Sequence, residues 1–234
     1  MHKLRLYGIL VGIMVALMLT CDALAFKVIT IYGYNFSASG LIFPLNFMLA
    51  AVVTNVYGYD LAGRIIWIQL ITQFIFIVTV NIFVLLPSPN MDPISDLYFS
   101  LYKNIWRVIF SSSLAIFIAY FINDFIMSKL KIYYRGNLFI IRFLLSNAVG
   151  KAALVCISYP INLSGLYPIN EIIHIALNTW IYKMVMAVLL FPAAWFLSDF
   201  IKKVEKMDYY DFGISYNPIS VFSQKTQGEN KFDR

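Results

Sequence analysis

The stretch LFIIRFLLSNAVGKAALVCISY, residues 138–159, decides the class of this protein. As an α-helix it spans about 33 Å, at about 1.5 Å per residue, enough to cross a hydrocarbon layer of about 30 Å. Before it stand Lys129, Lys131 and Arg135, and after it the Ile161–Asn170 segment carries no Lys or Arg. One side of the stretch is therefore cationic and the other is not. Within it, Ser146, Asn147, Gly150 and Lys151 fall at positions i, i+1, i+4 and i+5, which share one helical face. A helix that is apolar over most of its length, Arg142 near its start apart, thus carries a small and polar stripe at membrane depth.

Five further apolar stretches repeat the pattern: Leu4–Phe26, Ser39–Tyr57, Ala62–Leu86, Asn104–Met127 and Glu171–Leu197. Cations gather in every second gap: Lys3 and Arg5, then Arg64, then Lys129 to Arg135, then Lys202, Lys203 and Lys206. The alternate gaps hold only Lys27, Lys103 and Arg107. By the positive-inside rule this predicts an all-α bundle of six transmembrane helices over residues 1–201, with both termini cytoplasmic. Residues 202–234 read as a polar cytoplasmic tail, with Tyr209, Tyr210, Phe212, Tyr216 and Phe222 available to pack at the membrane face.

The totals agree. Charged residues are 13% of the chain and hydrophobic residues 61%, where soluble domains carry about 25% charged residues. The net charge of +6 sits at helix ends, where cations meet anionic lipid. No basic groove interleaved with aromatics is present, so nucleic acid is excluded as a partner. The first stretch resembles a signal peptide, with Ala23-Leu24-Ala25 as a cleavage site, but its apolar run is long and Asp22 is ill placed before a cut. It is read as a retained first helix.

The connections are short. Tyr59–Leu61 reads as a tight turn, and Pro87–Lys103 as the longest loop, broken by Pro87, Pro89 and Pro93. Tyr98, Phe99, Tyr102 and Trp106 suggest an interfacial segment. Pro192 is expected to kink the last helix.

No catalytic constellation is visible: there is no P-loop, HExxH or GxSxG. Cys21 and Cys156 lie inside spans without a Cys/His cluster, so no metal, cofactor or disulfide framework is indicated. Glu171 and His174, one turn apart, read as an interfacial hydrogen-bonded pair.

Polar groups at membrane depth are the informative residues. A central charge costs about 2.5–3.5 kcal/mol on insertion scales, so it must face a partner or a wet cavity. Lys151 and Lys183 are therefore candidate electrostatic anchors for a substrate, with Asn55, Asn123, Ser146 and Asn147 as hydrogen-bonding groups. For each single Asn or Ser the competing reading is interhelical adhesion. For the lysines it is an ion pair, with Asp22 or Glu171. Gly8, Gly12 and Ala16 form a small-residue groove, common in membrane helices, whose default use is packing within the bundle.

Several motifs in order resemble a known family. Phe43-Pro44-Leu45 precedes Val56-Tyr57-Gly58 and Ala62-x-Arg64. Arg107, Ser112 and Ala115 precede Lys129-Leu130-Lys131. Arg142, Leu145, Ser146 and Gly150 follow, and Lys183 lies nine residues before Pro192. Over about Thr20 to Phe222 the chain resembles the six-helix queuosine-precursor (7-deazaguanine) transporters, which are similar in architecture to the substrate-binding subunits of energy-coupling-factor importers. The resemblance implies multi-pass uptake of a small heterocycle across a bacterial inner membrane, without enzymatic activity. It carries Arg107 and Tyr57, besides Arg142 and Lys183, into the substrate site.

The chain departs from that family at inward positions that usually hold acids or amides. Ala51, Asn55, Asn123, Lys151, Leu154 and Leu190 stand there instead. The change argues against a cationic substrate and for a neutral or anionic one, because a buried ammonium repels a cation. Two alternatives stay open. One is a binding subunit docked to a separate ATPase module through Gly8, Gly12 and Ala16. The other is a membrane scaffold that transports nothing.

Overall fold

A computed structural model of the protein describes residues 4–24, 27–31, 34–87, 93–103, 105–165, 167–219 and 229–233. Seven α-helices build the described fold: α1 (Tyr7–Ala23), α2 (Ala38–Tyr57), α3 (Tyr59–Leu85), α4 (Pro93–Tyr102), α5 (Ile105–Tyr133), α6 (Phe139–Leu163) and α7 (Ile169–Glu205). Five of them, α2, α3, α5, α6 and α7, are long and apolar enough to cross a membrane. The first is shorter, 17 residues or about 26 Å. Helix α4 occupies the place expected for the interfacial segment, and α5 follows it directly.

Helix α2 is the axis of the bundle. Every residue from Asn46 to Tyr57 is buried, and the helix packs against α1, α3, α5, α6 and α7. The outward faces of α3 and α7 carry exposed Phe74, Ile75, Phe83, Leu189, Trp195 and Phe196, an apolar belt suited to lipid. Between α5 and α6 the backbones come close at Gly150. A Cβ there would lie 3.0 Å from the Ala119 carbonyl oxygen and 3.0 Å from the Asn123 Cβ. The stripe read from the sequence is thus an inward contact face: Ser146, Asn147, Gly150 and Lys151 are all buried.

The expected small-residue contact in α1 is absent. Gly8, Gly12 and Ala16 are exposed, with nothing within 4 Å of a Cβ at either glycine. The groove faces away from the bundle, so packing within the bundle is not its use.

Three connections differ from the sequence expectation. Between α1 and α2 lies an antiparallel strand pair, β1 (Val28–Ile31) with β2 (Tyr34–Ser37), in register from Val28↔Ser37 to Ile31↔Tyr34. The Val-Ile-Thr-Ile run favours extended backbone through its β-branched residues. The expected turn at Tyr59–Leu61 is instead helix. Gly58 alone separates α2 from α3, at φ +84°, a left-handed conformation that favours glycine. Helix α7 continues through Pro192 and Lys202 to Glu205, so the cationic ending is helical.

The segment after α7 folds back onto the bundle. Met207 and Ile214 are buried, and Tyr209–Tyr210 (β3) pairs with Glu229–Asn230 (β4). Asp211 accepts from the Tyr59 backbone N–H at 3.1 Å and from Ser128 Oγ at 2.6 Å. Its carboxylate thus satisfies an orphan donor at the start of α3. Trp67 Nε1 donates to the Pro218 carbonyl at 2.9 Å, and Tyr59 stacks edge-on against Tyr216 at 4.9 Å. Phe222 and Asp92 lie outside the described residues, as do Lys3 and His2.

Candidate functional site

Helix directions sort the polar groups by the end of the bundle they occupy. The start of α1, the Gly58 elbow, the α5–α6 turn and the end of α7 share one end, where the cations are. The end of α1 and the starts of α2, α5 and α7 share the other end with the end of α6.

At that second, cation-poor end lies a cavity of about 480 Å³. Five helices line it, each with residues at helical spacing: Met18 and Asp22 from α1, Ser39 and Phe43 from α2, Ser112 and Ile116 from α5, Leu154, Ser158 and Asn162 from α6, and Asn178, Thr179, Tyr182 and Lys183 from α7. The i, i+4 recurrence is what puts these side chains on one face of each helix.

A lysine and an aspartate define the cavity. Lys183 lies 5.1 Å above the centre of the Phe43 ring, a cation–π arrangement. Among the described residues its ammonium has no ion pair. Asp22, 8% exposed, accepts at Oδ1 from Gln73 Nε2 at 2.9 Å, and Gln73 Oε1 accepts from Ser113 Oγ at 2.9 Å. Asp22 Oδ2 and Asn162 Oδ1 are buried and, among the described residues, have no hydrogen-bond partner. The rim is braced by Tyr159, whose hydroxyl donates to Thr179 Oγ1 at 2.9 Å. The cavity therefore offers one cation, two acceptors lacking a donor and three aromatic rings, from Phe43, Tyr159 and Tyr182.

Of the candidate binding residues read from sequence, Lys183 lines this cavity, together with Phe43, Ser112 and Leu154, which the resemblance singled out. Lys151 lies behind it: its Nζ donates to the Lys183 carbonyl at 3.0 Å and sits 5.6 Å from the Phe47 ring. Neither lysine is ion-paired with Asp22 or Glu171. Glu171 and His174 are both exposed, without the expected hydrogen bond to each other.

The other candidates lie deeper, apart from Arg107 at the start of α5. Asn123 Nδ2 donates to Asp124 Oδ1 at 3.2 Å, which also takes the Thr54 hydroxyl at 2.7 Å. Ser146 and Asn147 both donate to the Phe143 carbonyl of their own helix, and Asn147 Oδ1 has no partner among the described residues. Asn55 sits at the cation-rich end, accepting from Arg142 Nη1 at 2.8 Å and donating to Ser198 Oγ at 2.7 Å. Tyr57, fully buried, packs edge-on against Tyr7 at 5.4 Å. Arg107 belongs to α5, and its side chain lies outside the described residues.

The cation-rich end is closed by a charge cluster. Lys131 and Lys202 each lie 2.8 Å from Asp208 Oδ1. Burial would raise the Asp208 carboxyl, but the two ammoniums outweigh it and hold it below the ordinary carboxylate range. Burial pushes the nearby Asp211 carboxyl up, against the pull of Ser128, Lys131 and the Tyr59 amide.

The sequence missed the Asp22–Gln73–Ser113 chain as a binding element, although an Asp and a Gln inside apolar stretches were visible signals. Among the described residues no group of His, Cys, Asp and Glu is placed to hold a metal ion.

A family model described as "Putative vitamin uptake transporter" matches residues 37–197. The match covers more than two thirds of the chain and every lining residue of the cavity outside α1. No curated protein and no solved structure matches the chain significantly.

Proposed function

Since the chain belongs to the putative vitamin uptake transporter family, we propose that this multi-pass membrane protein imports a small neutral heterocycle, a 7-deazaguanine precursor of queuosine, through the cavity at its cation-poor end. The observation that carries this reading is Lys183, an ammonium without an ion pair among the described residues, over an aromatic ring in a cavity of about 480 Å³. Small-molecule sites commonly enclose about 300–1,000 Å³ and set a few polar groups among aromatics. Lys183 favours a carbonyl or nitrile acceptor on the ligand edge that faces it and opposes a cationic arm on that edge, Asp22 lying elsewhere in the same cavity. The nitrile form, 7-cyano-7-deazaguanine, suits it better than the aminomethyl form.

The bundle crosses a bacterial inner membrane six times in this reading, α1 included, with the cation-rich end cytoplasmic and the cavity open outward. Lys151 orders α7 from behind the cavity. Asn123, Ser146, Asn147, Asn55 and Tyr57 would meet the substrate further along its path, and Arg107, near the start of α5, at the cavity end. The chain carries no ATPase motif, so a gradient, metabolic trapping or a partner supplies the energy. The outward-facing Gly8, Gly12 and Ala16 groove favours a second reading, a binding subunit with a separate ATPase module, which co-purification of such a module would support.

Thermal unfolding with added ligand tests the reading. A ligand at 100 times its dissociation constant adds about 2.7 kcal/mol of stability. The nitrile compound is expected to raise Tm in the unmodified protein and not in Lys183→Met. Equal stabilisation of both proteins would overturn the role of Lys183.

A further inference from the structure

We infer that Asp22 is a specificity-determining residue, which reads the N–H edge of the heterocycle opposite Lys183 and is held for that task by Gln73 and Ser113. The inference rests on the proposed substrate class, but its observations are separate. Asp22 stands on α1, outside the segment that the family model matches, and lines the same cavity as Lys183.

A carboxylate accepts at both oxygens. Here Oδ1 is engaged by Gln73 Nε2 at 2.9 Å, and Gln73 is oriented in turn by Ser113 Oγ at 2.9 Å. Gln73 is wholly buried, so the chain Ser113–Gln73–Asp22 fixes the carboxylate across α5, α3 and α1. Asp22 Oδ2 is buried and has no donor among the described residues. Buried polar atoms are nearly always satisfied, and an unsatisfied carboxylate oxygen at membrane depth is costly. A ligand N–H beside it supplies the missing donor.

A neutral heterocycle with acceptors on one edge and N–H groups on the other matches the pair. Its carbonyl or nitrile faces Lys183, and its ring N–H and exocyclic amine face Asp22. The neighbouring Asn162 Oδ1, also without a donor among the described residues, adds a second acceptor in the same cavity.

The test is a selectivity ratio, the affinity for 7-cyano-7-deazaguanine over that for its analogue lacking the 2-amino group. A hydrogen bond to a charged group corresponds to roughly ten- to hundredfold in affinity, so the unmodified protein is expected to show a ratio of that order. Asp22→Asn keeps an oxygen for Gln73 and places a donor where Oδ2 was. Its ratio is expected to fall to near one, chiefly through weaker binding of the amino compound. Ser113→Ala leaves Asp22 in place and loosens its support, and is expected to lower the ratio by a smaller factor. Equal binding of both compounds by the unmodified protein, or a ratio unchanged in both variants, overturns the Asp22 inference and leaves the substrate class standing. Failure of the unmodified protein to bind either compound overturns the substrate class and this inference with it.

Discussion

Lys183 and Lys151 look alike in sequence, two cations inside apolar helices, yet their surroundings differ. Lys183 faces the cavity over Phe43, whereas Lys151 spends a hydrogen bond on the Lys183 carbonyl. Substituting each by Met keeps the stem and removes the charge. Lys183→Met is expected to weaken binding of the nitrile compound by about tenfold or more, the scale of one charge-assisted hydrogen bond. Lys151→Met acts through the position of α7, so its affinity loss is expected to be smaller. Titration calorimetry of both variants checks the order, and a larger loss in Lys151→Met would place that residue against the ligand instead. Gly150 makes a residue-scale prediction of another kind. Its missing side chain lets α6 approach the Ala119 carbonyl and Asn123, so Gly150→Val is expected to destabilise the bundle by about 1–3 kcal/mol through overpacking. An unchanged unfolding temperature would contradict that.

Among the elements, the segment after α7 carries the strongest electrostatic consequence. Asp208 pairs with both Lys131 and Lys202, and Lys131 is almost wholly buried. Helix α5 runs to Tyr133, beyond the Met127 end expected from the sequence, and carries Lys131 into this contact. Removing one partner of a buried ion pair commonly costs about 3–5 kcal/mol, so Asp208→Asn is expected to lower stability on that scale at neutral pH. The sign with pH follows from the depressed carboxyl. Its contribution is fully present above the unfolded value of about 3.9 and disappears as pH falls through the lower folded value. Asp211, raised by burial, acts oppositely, losing stability as pH rises from the unfolded value towards the folded one. Unfolding of the protein and of Asp208→Asn, measured from pH 7 to pH 3, should therefore show a gap that narrows only at the acid end. A gap that widened on acidification would refute the assignment.

Helix placement was legible because a span of apolar residues bounded by cations has few other solutions in lipid. The inward stripe from Ser146 to Lys151 was legible because helical spacing alone puts those residues on one face. The strand pair β1–β2, the fold of the tail and the Asp22–Gln73–Ser113 chain were not. Each joins residues distant in sequence, and periodicity within one segment carries no information about what another segment brings to it. Asn178, Thr179 and Tyr182 lie inside the Glu171–Leu197 stretch, but a single neutral polar residue in a span reads equally well as interhelical adhesion, so the cavity they line was not legible from them.

At the scale of the whole molecule, the polar groups run inward from the cavity at Asp22 and Lys183, past Lys151, Asn123 and Asn147, to Asn55 and Arg142. That order suits a substrate path closed at the cation-rich end by the tail. Topology is open to direct test: a periplasmic reporter fused after Lys206 is expected to be silent and one inserted near Asp92 active, and the reverse would invert the bundle. Uptake of a neutral 7-deazaguanine is open to a counterflow assay, which needs no energy source. Proteoliposomes preloaded with unlabelled 7-cyano-7-deazaguanine should accumulate the labelled compound saturably, and those bearing Lys183→Met should not. Accumulation no greater than in protein-free liposomes would show that the protein does not carry this compound.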